Sequence, residues 1–172
     1  KDIHVAFDAN VGLFKGETCS MDWRTHTYPN WFINSVIADS FSSGTNALHK
    51  FFYQFLGTAG RIIQKPAEEI AMWEKYSGLL KENINKHFWD EKQGCYTCYL
   101  YPEYLGYRPT QRVGVMSNGL AAVLDIATTG QSTQMVENFP LYPYGAAVLY
   151  PSIPDDFSYH NKSVWPVWET PY

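Results

Sequence analysis

No run of lysine or arginine in this sequence could follow a phosphate backbone, and its 13 basic residues are outnumbered by 17 acidic ones, for a formal charge of -4. Nucleic acid is therefore not an expected partner. No apolar stretch approaches the roughly 20 residues that a membrane-spanning helix needs, so a membrane is not an expected partner either. The opening residues KDIHVAFDAN lack the charged-then-apolar pattern of a signal peptide. Lys1 does not look like a natural start, which leaves room for an upstream region. Histidines are few and scattered (His4, His26, His49, His87, His160) with no paired spacing, so neither a metal nor a cofactor is expected. A Gly-x-Ser-x-Gly nucleophile turn is absent.

Cysteine is also scarce. Cys19, Cys95 and Cys98 leave one thiol over in any disulfide scheme. Cys95-Tyr96-Thr97-Cys98 has the spacing of a redox motif, but it follows Gly94 in what reads as a β-turn instead of opening a helix. It supplies only half of a structural zinc site. All three cysteines are read as packing residues.

What the chain has in excess is aromatic surface: 6 Trp, 13 Tyr and 10 Phe make up 17% of it. Aromatic faces suit sugar rings and deep cores equally well. The length of 172 residues and a hydrophobic content of 45% are those of one domain, residues 1–172.

Periodicity predicts a mainly α fold with short β excursions. A helical run from Pro29 to Ser42 is followed by Thr45 as an N-cap and an apolar stripe of Leu48, Phe51, Phe52, Phe55 and Leu56, closed by Gly57. The two would form an αα-hairpin across Ser42-Ser43-Gly44. Pro66, with Glu68 and Glu69 beside it, starts the longest helix, AEEIAMWEKYSGLLKENINKHF, whose buried stripe is Ile70, Trp73, Tyr76, Leu80, Ile84 and His87 or Phe88. A turn at Asp90–Gly94 and a short β-hairpin or extended excursion in CYTCYLYPEYLGY come next. MSNGLAAVLDIAT follows as a helix capped by Ser117 or Asn118, and then a short helix from Gln131 to Asn138. Residues 139–157, rich in proline, read as a long ordered loop. A helix begins near Ser163, and no repeat is legible at the level of residue identity.

Two stretches carry chemistry. GETCSMDWRTHTYPNW (Gly16–Trp31) gathers Glu17, Asp22, Arg24, His26 and three aromatics without apolar periodicity before Trp31. Paired carboxylates are the minimal machinery of glycoside hydrolysis. Trp23 would desolvate Asp22 and raise its pKa, as a general acid requires, while pairing with Arg24 would lower it. The alternative is that these acids are caps or surface residues. The second stretch, Tyr159 to Pro166 with Trp168 and Glu169 after it, offers His160 and Asn161 as hydroxyl binders beside Trp165. Its plain alternative is a capping segment in which Asn161 holds backbone amides.

Together, GETCSMDWRTHTYPNW, the pattern W-x-x-Y-x-x-L-L-K-x-x-I-N-x-x-F-W-D-x-x-x-G-x-Y and YHNKSVWP resemble the six-hairpin glycosidases. That group includes the glycogen-debranching, trehalase and processing α-glucosidase types, with uncharacterised bacterial members nearest. The resemblance implies an (α/α)6 toroid, of which this chain would be about half, an incomplete portion of a catalytic domain. It implies inverting hydrolysis of an α-linked glucoside or related oligosaccharide. Asp22 would be the general acid and Glu169, or a residue beyond Tyr172, the base. Trp23, Arg24, Trp31, His160, Asn161 and Trp165 would bind substrate. The partners implied are the oligosaccharide and the missing half of the toroid, without which Phe51, Phe52 and Phe55 would lack neighbours. The rival expectation is a carbohydrate-binding or assembly fragment without turnover. A third is a helical interaction domain whose aromatics are only core.

Overall fold

The computed structural model describes residues 2–16, 28, 32–154 and 159–165. In chain order, a short helix α1 (Asp2–Val5) leads into an antiparallel hairpin of β1 (Phe7–Asp8) and β2 (Leu13–Phe14). After α2 (Asn34–Ala38) and β3 (Phe41–Ser42) come the two long helices, α3 (Ser43–Ile62) and α4 (Ala67–Phe88). A second hairpin, β4 (Trp89–Asp90) with β5 (Cys95–Tyr96), precedes a longer one of β6 (Tyr99–Glu103) and β7 (Gly106–Pro109). Then follow β8 (Val113–Gly114), α5 (Val115–Val123) and α6 (Thr129–Asn138). A third hairpin, β9 (Leu141–Tyr142) with β10 (Gly145–Ala146), is succeeded by β11 (Leu149–Tyr150) and α7 (Tyr159–Lys162).

The helix α4 spans the residues its sequence predicts. Pro66 precedes it, Glu68 and Glu69 complement its N-terminal dipole and Lys86 and His87 its C-terminal one. Leu80, Ile84 and Phe88 form its buried stripe, so Phe88 takes the inward position and His87 stays half-buried. The helix α6 also forms where expected, begun by a capping box in which Thr128 and Gln131 satisfy each other's backbone N–H groups.

Several expectations are corrected. The partner of α4 in an αα-hairpin is α3, joined to it by residues 63–66, and Ser42-Ser43-Gly44 is the start of α3 instead of a hairpin turn. Ser42 and not Thr45 is the N-cap, its hydroxyl accepting the Thr45 N–H at 3.4 Å. The helix runs on past Gly57 because Gly57 and Gly60 face α4. A Cβ on Gly60 would sit 2.7 Å from the Trp73 ring, so the two helices approach closely there. Consequently the face of α3 turned inward is Ala47, Lys50, Tyr53, Gly57 and Gly60, while Phe51, Phe52 and Phe55 are exposed. The helix α5 is capped by Gly114 with no side-chain bond, and the expected loop at 139–157 contains three short strands. Residues 159–162 are helical ahead of Ser163.

A repeat hidden from residue identity organises these elements. Phe7-Asp8 with Leu13-Phe14 and Trp89-Asp90 with Cys95-Tyr96 are the same hairpin, aromatic-Asp-x-x-x-Gly-x-aromatic. In each, the aspartate Oδ1 accepts two N–H groups of its own turn (Asn10 and Val11; Lys92 and Gln93), and a glycine at positive φ closes it (Gly12, +73°; Gly94, +63°). Burial opposes ionisation of both carboxyls, but these hydrogen bonds, with Lys15 on Asp8 and the Gln93 amide on Asp90, outweigh it and lower both pKa values.

The last aromatic of each hairpin is clipped to the helix that follows in its own unit. Asn46 Oδ1 accepts the Phe14 N–H at 2.7 Å and its Nδ2 donates to the Phe14 carbonyl at 3.0 Å. Asn118 does the same to Tyr96 at 2.7 and 2.9 Å. The second residue past each hairpin then donates its N–H to the carbonyl six residues ahead of the clip: Gly16 to Ser40 at 2.9 Å and Cys98 to Arg112 at 2.8 Å. A third such bond joins Val148 to Ser163 at 3.0 Å, after the hairpin of β9 and β10. Successive units of hairpin, connecting segment and helix pair, with short strands between, are consistent with part of a helical toroid.

Candidate functional site

The repeat delivers three connecting segments to one place. The segment after β2 contributes Tyr28, Phe32 and Ile37, that after β5 contributes Cys98 and Tyr99, and that after β10 contributes Val148 and Leu149 to a single buried cluster. Tyr101, Ile153 and Trp165 pack against it. This cluster is separate from the main core, which is built on Leu80, Ile84, Phe88 and the hairpin aromatics. Strand pairing fixes the convergence, since β6 pairs back onto β3 and β11 onto β8, each tying one segment to the start of the preceding helix pair.

Two of the sequence-predicted stretches meet here. Tyr28 of the Gly16–Trp31 stretch is 2% exposed, and Trp165 of the YHNKSVWP stretch packs on the cluster that contains it. Asp22, Trp23, Arg24, Trp31 and Glu169 lie outside the described residues. The backbone of His160 is in α7. Asn161 is fully buried, and its amide accepts the Ile153 N–H at 2.6 Å and donates to the Ile153 carbonyl at 2.8 Å. It thus holds backbone, the role given above as the plain alternative to hydroxyl binding.

Beside the cluster opens a cleft of about 440 Å³, lined by Phe32, Tyr99, Tyr101, Thr110, Arg112 and Pro151, with Arg108 at its rim. The Phe32 and Tyr101 rings lie 5.5 Å apart at 56°, a tilted aromatic wall. Arg108 is exposed and pairs with Glu103 at 3.2 Å. The backbone at Arg112 is fixed twice: its N–H donates to Thr110 Oγ1 at 3.3 Å and its carbonyl accepts from Cys98. Its Nη1 is buried and has no hydrogen-bond partner. Burial pushes the Tyr99 phenol up to about 12, against the opposing pull of Thr110 and the Arg112 charge. Burial likewise pushes the Cys98 thiol up to about 12, so Cys98 is no nucleophile at neutral pH.

Tyr99, Tyr101 and Arg112 were not singled out by the sequence patterns above. The signal that finds them is the repeated aromatic-Asp-x-x-x-Gly-x-aromatic hairpin, because it fixes where each connecting segment departs and which residues precede the next helix. Chemically, the cleft offers ring faces for an apolar or sugar surface and a guanidinium for an oxygen acceptor.

No family model matches the chain, and no curated protein matches it. Among solved structures it is similar to the neutral trehalase Nth1 from Saccharomyces cerevisiae, with a TM-score of 0.55 and 19% identity over 66% of this chain. The matched part spans 22% of that trehalase chain. The likeness is one of fold, to part of a glycoside hydrolase.

Proposed function

We propose that this chain is a portion of a glycoside hydrolase catalytic domain of the (α/α)6 type, acting on an α-linked glucoside or a related oligosaccharide with inversion. The observation that carries the reading is that Tyr28 lies in, and Trp165 packs against, one buried cluster beside an open cleft, the two coming from the two stretches with glycosidase-like residues. The fold likeness to a trehalase supports it. So does the exposed face of Phe51, Phe52 and Phe55, which suits a chain whose remaining helix units cover it.

In this reading Asp22 protonates the leaving glycosidic oxygen and Glu169, or an acid outside this chain, activates water from the opposite face. Inversion needs the two carboxyl groups about 6.5 to 9.5 Å apart, with room for that water. Trp23, Arg24, Trp31, His160 and Trp165 bind the sugar. The test is Asp22→Asn in the protein, followed by sugar release from α-glucosides with the product anomer read by NMR. Loss of turnover by 100-fold or more with sugar binding retained is the expected result. Unchanged turnover removes Asp22 from the chemistry, and sugar binding without turnover in the parent protein favours a carbohydrate-binding role instead.

A further inference from the structure

The repeat acts as an internal alignment, and it marks one residue as out of pattern. Ser40, Arg112 and Ser163 hold the same position: each carbonyl accepts the N–H of the second residue past a hairpin. Serine does this in two units, so the scaffold does not require arginine there. A long cationic side chain at the middle copy costs conformational entropy and desolvation that the backbone bond does not recover. Its side chain lines the cleft, and its Nη1 is buried without a partner. The other arginine of the cleft, Arg108, is matched by Glu103, whereas no carboxylate among the described residues pairs with Arg112 or lines the cleft.

A part-buried guanidinium with one buried, unpaired nitrogen and no carboxylate partner among the described residues is well suited to an anion presenting two oxygens to its planar fork. The walls beside it are the rings of Phe32 and Tyr101, suited to the apolar face of a pyranose. We propose that this cleft binds a sugar bearing a carboxylate, a uronic acid residue, with the carboxylate on Arg112 and the ring against Phe32 and Tyr101. The inference rests on the glycoside hydrolase reading and narrows it: at least one subsite takes an acidic sugar. One cation unmatched among the described residues suits a monoanion, which favours a carboxylate over a doubly charged phosphate ester.

The test compares binding of a glucuronic-acid-containing disaccharide with its neutral glucose counterpart by calorimetry on the protein, at low and at raised salt. The acidic sugar is expected to bind at least roughly tenfold more tightly, with the preference shrinking as salt rises. Arg112→Ser restores the residue of the other two units, so folding is preserved and the preference disappears; Arg112→Lys keeps part of it. Equal affinity for the two sugars, or a preference that survives in Arg112→Ser, overturns the assignment. Turnover separates this from the broader reading. A neutral glycoside hydrolysed through Asp22 with no acidic preference sinks the Arg112 site alone, and an acidic preference without Asp22-dependent turnover sinks the hydrolase alone.

Discussion

Asn118 holds Tyr96 by both halves of its amide, accepting the N–H at 2.7 Å and donating to the carbonyl at 2.9 Å, while its Nδ2 also reaches the Gly114 carbonyl at 3.0 Å. All of this is buried, and Asn46 repeats it on Phe14 with a further bond to the Ser42 carbonyl at 2.9 Å. One side chain thereby satisfies a hairpin end and pins it to the first turn of a helix. Removing it strands backbone groups where water cannot replace it.

The first prediction follows from that geometry. Asn118→Ala removes both amide bonds to the buried Tyr96 backbone and is expected to destabilise the fold by about 2–5 kcal/mol. Asn118→Asp keeps the acceptor but turns a carboxylate toward two carbonyl oxygens, so its loss is at least as large at neutral pH and smaller in acid. Urea unfolding measures both, and a midpoint for Asn118→Ala equal to that of the parent would show that the clip contributes nothing.

Alkaline pH provides a second check. Burial pushes Cys95 up to about 11, and Cys98 and Tyr99 up to about 12, and it raises Tyr96 as well. A thiol or phenol whose folded pKa is raised gives up its proton first in the unfolded chain. The stability these groups support is therefore full below their ordinary pKa values and falls as pH rises through about 9 and beyond. Lys50 has the opposite sign: burial lowers its pKa, so its share grows with pH up to its ordinary value of 10.5. Among the described residues these four groups, joined by Lys15, whose pKa its hydrogen bond to Asp39 raises, act against Lys50 and predict a net loss of stability between about pH 8 and pH 10, measured by urea melts at each. At about pH 8 site-resolved alkylation should find Cys95 and Cys98 unreactive in the folded protein and reactive in urea. Rapid native labelling at either position would contradict their burial.

How much of this was legible in the sequence depends on which force set each element. The helix α4 could be read to the residue because Pro66, the paired acids and the stripe of Leu80, Ile84 and Phe88 all agree. The helix α3 departs from its periodicity because its strongest apolar stripe is not the face it buries. Gly57 and Gly60 carry no hydrophobic signal, yet Gly57 admits Glu74 and Gly60 admits Trp73, and so they decide which side meets α4. Strands of two residues give too little alternation to detect, so residues 139–157 read as loop. The repeat is masked in the sequence because its connecting segments differ in length between Phe14 and Phe41 and between Tyr96 and Val113. Within the site, the two stretches that hold Tyr28 and Trp165 stand out in the sequence as the ones carrying chemistry. Arg112 does not, because one arginine among surface-like residues has no pattern until its serine counterparts are aligned with it.

The same alignment bears on the proposed base. Counting six residues on from Ser40 reaches Asn46 and from Arg112 reaches Asn118; from Ser163 it reaches Glu169. Asparagine serves as the clip in two units because it both accepts and donates, and a carboxylate only accepts. A chain needing nothing but a clip has no reason to place glutamate at this register, just as it has none to place arginine at the register of Ser40 and Ser163. Departures from an otherwise consistent local rule are where function is expected to override stability. Glu169→Asn, the residue of the other two units, is therefore predicted to raise the urea midpoint while reducing sugar release by 100-fold or more, and Glu169→Gln to reduce release similarly. Small nucleophiles such as azide restore turnover to a variant that has lost only its general base, so recovery with azide distinguishes that loss from misfolding. Full turnover in Glu169→Gln would assign the base to an acid outside this chain.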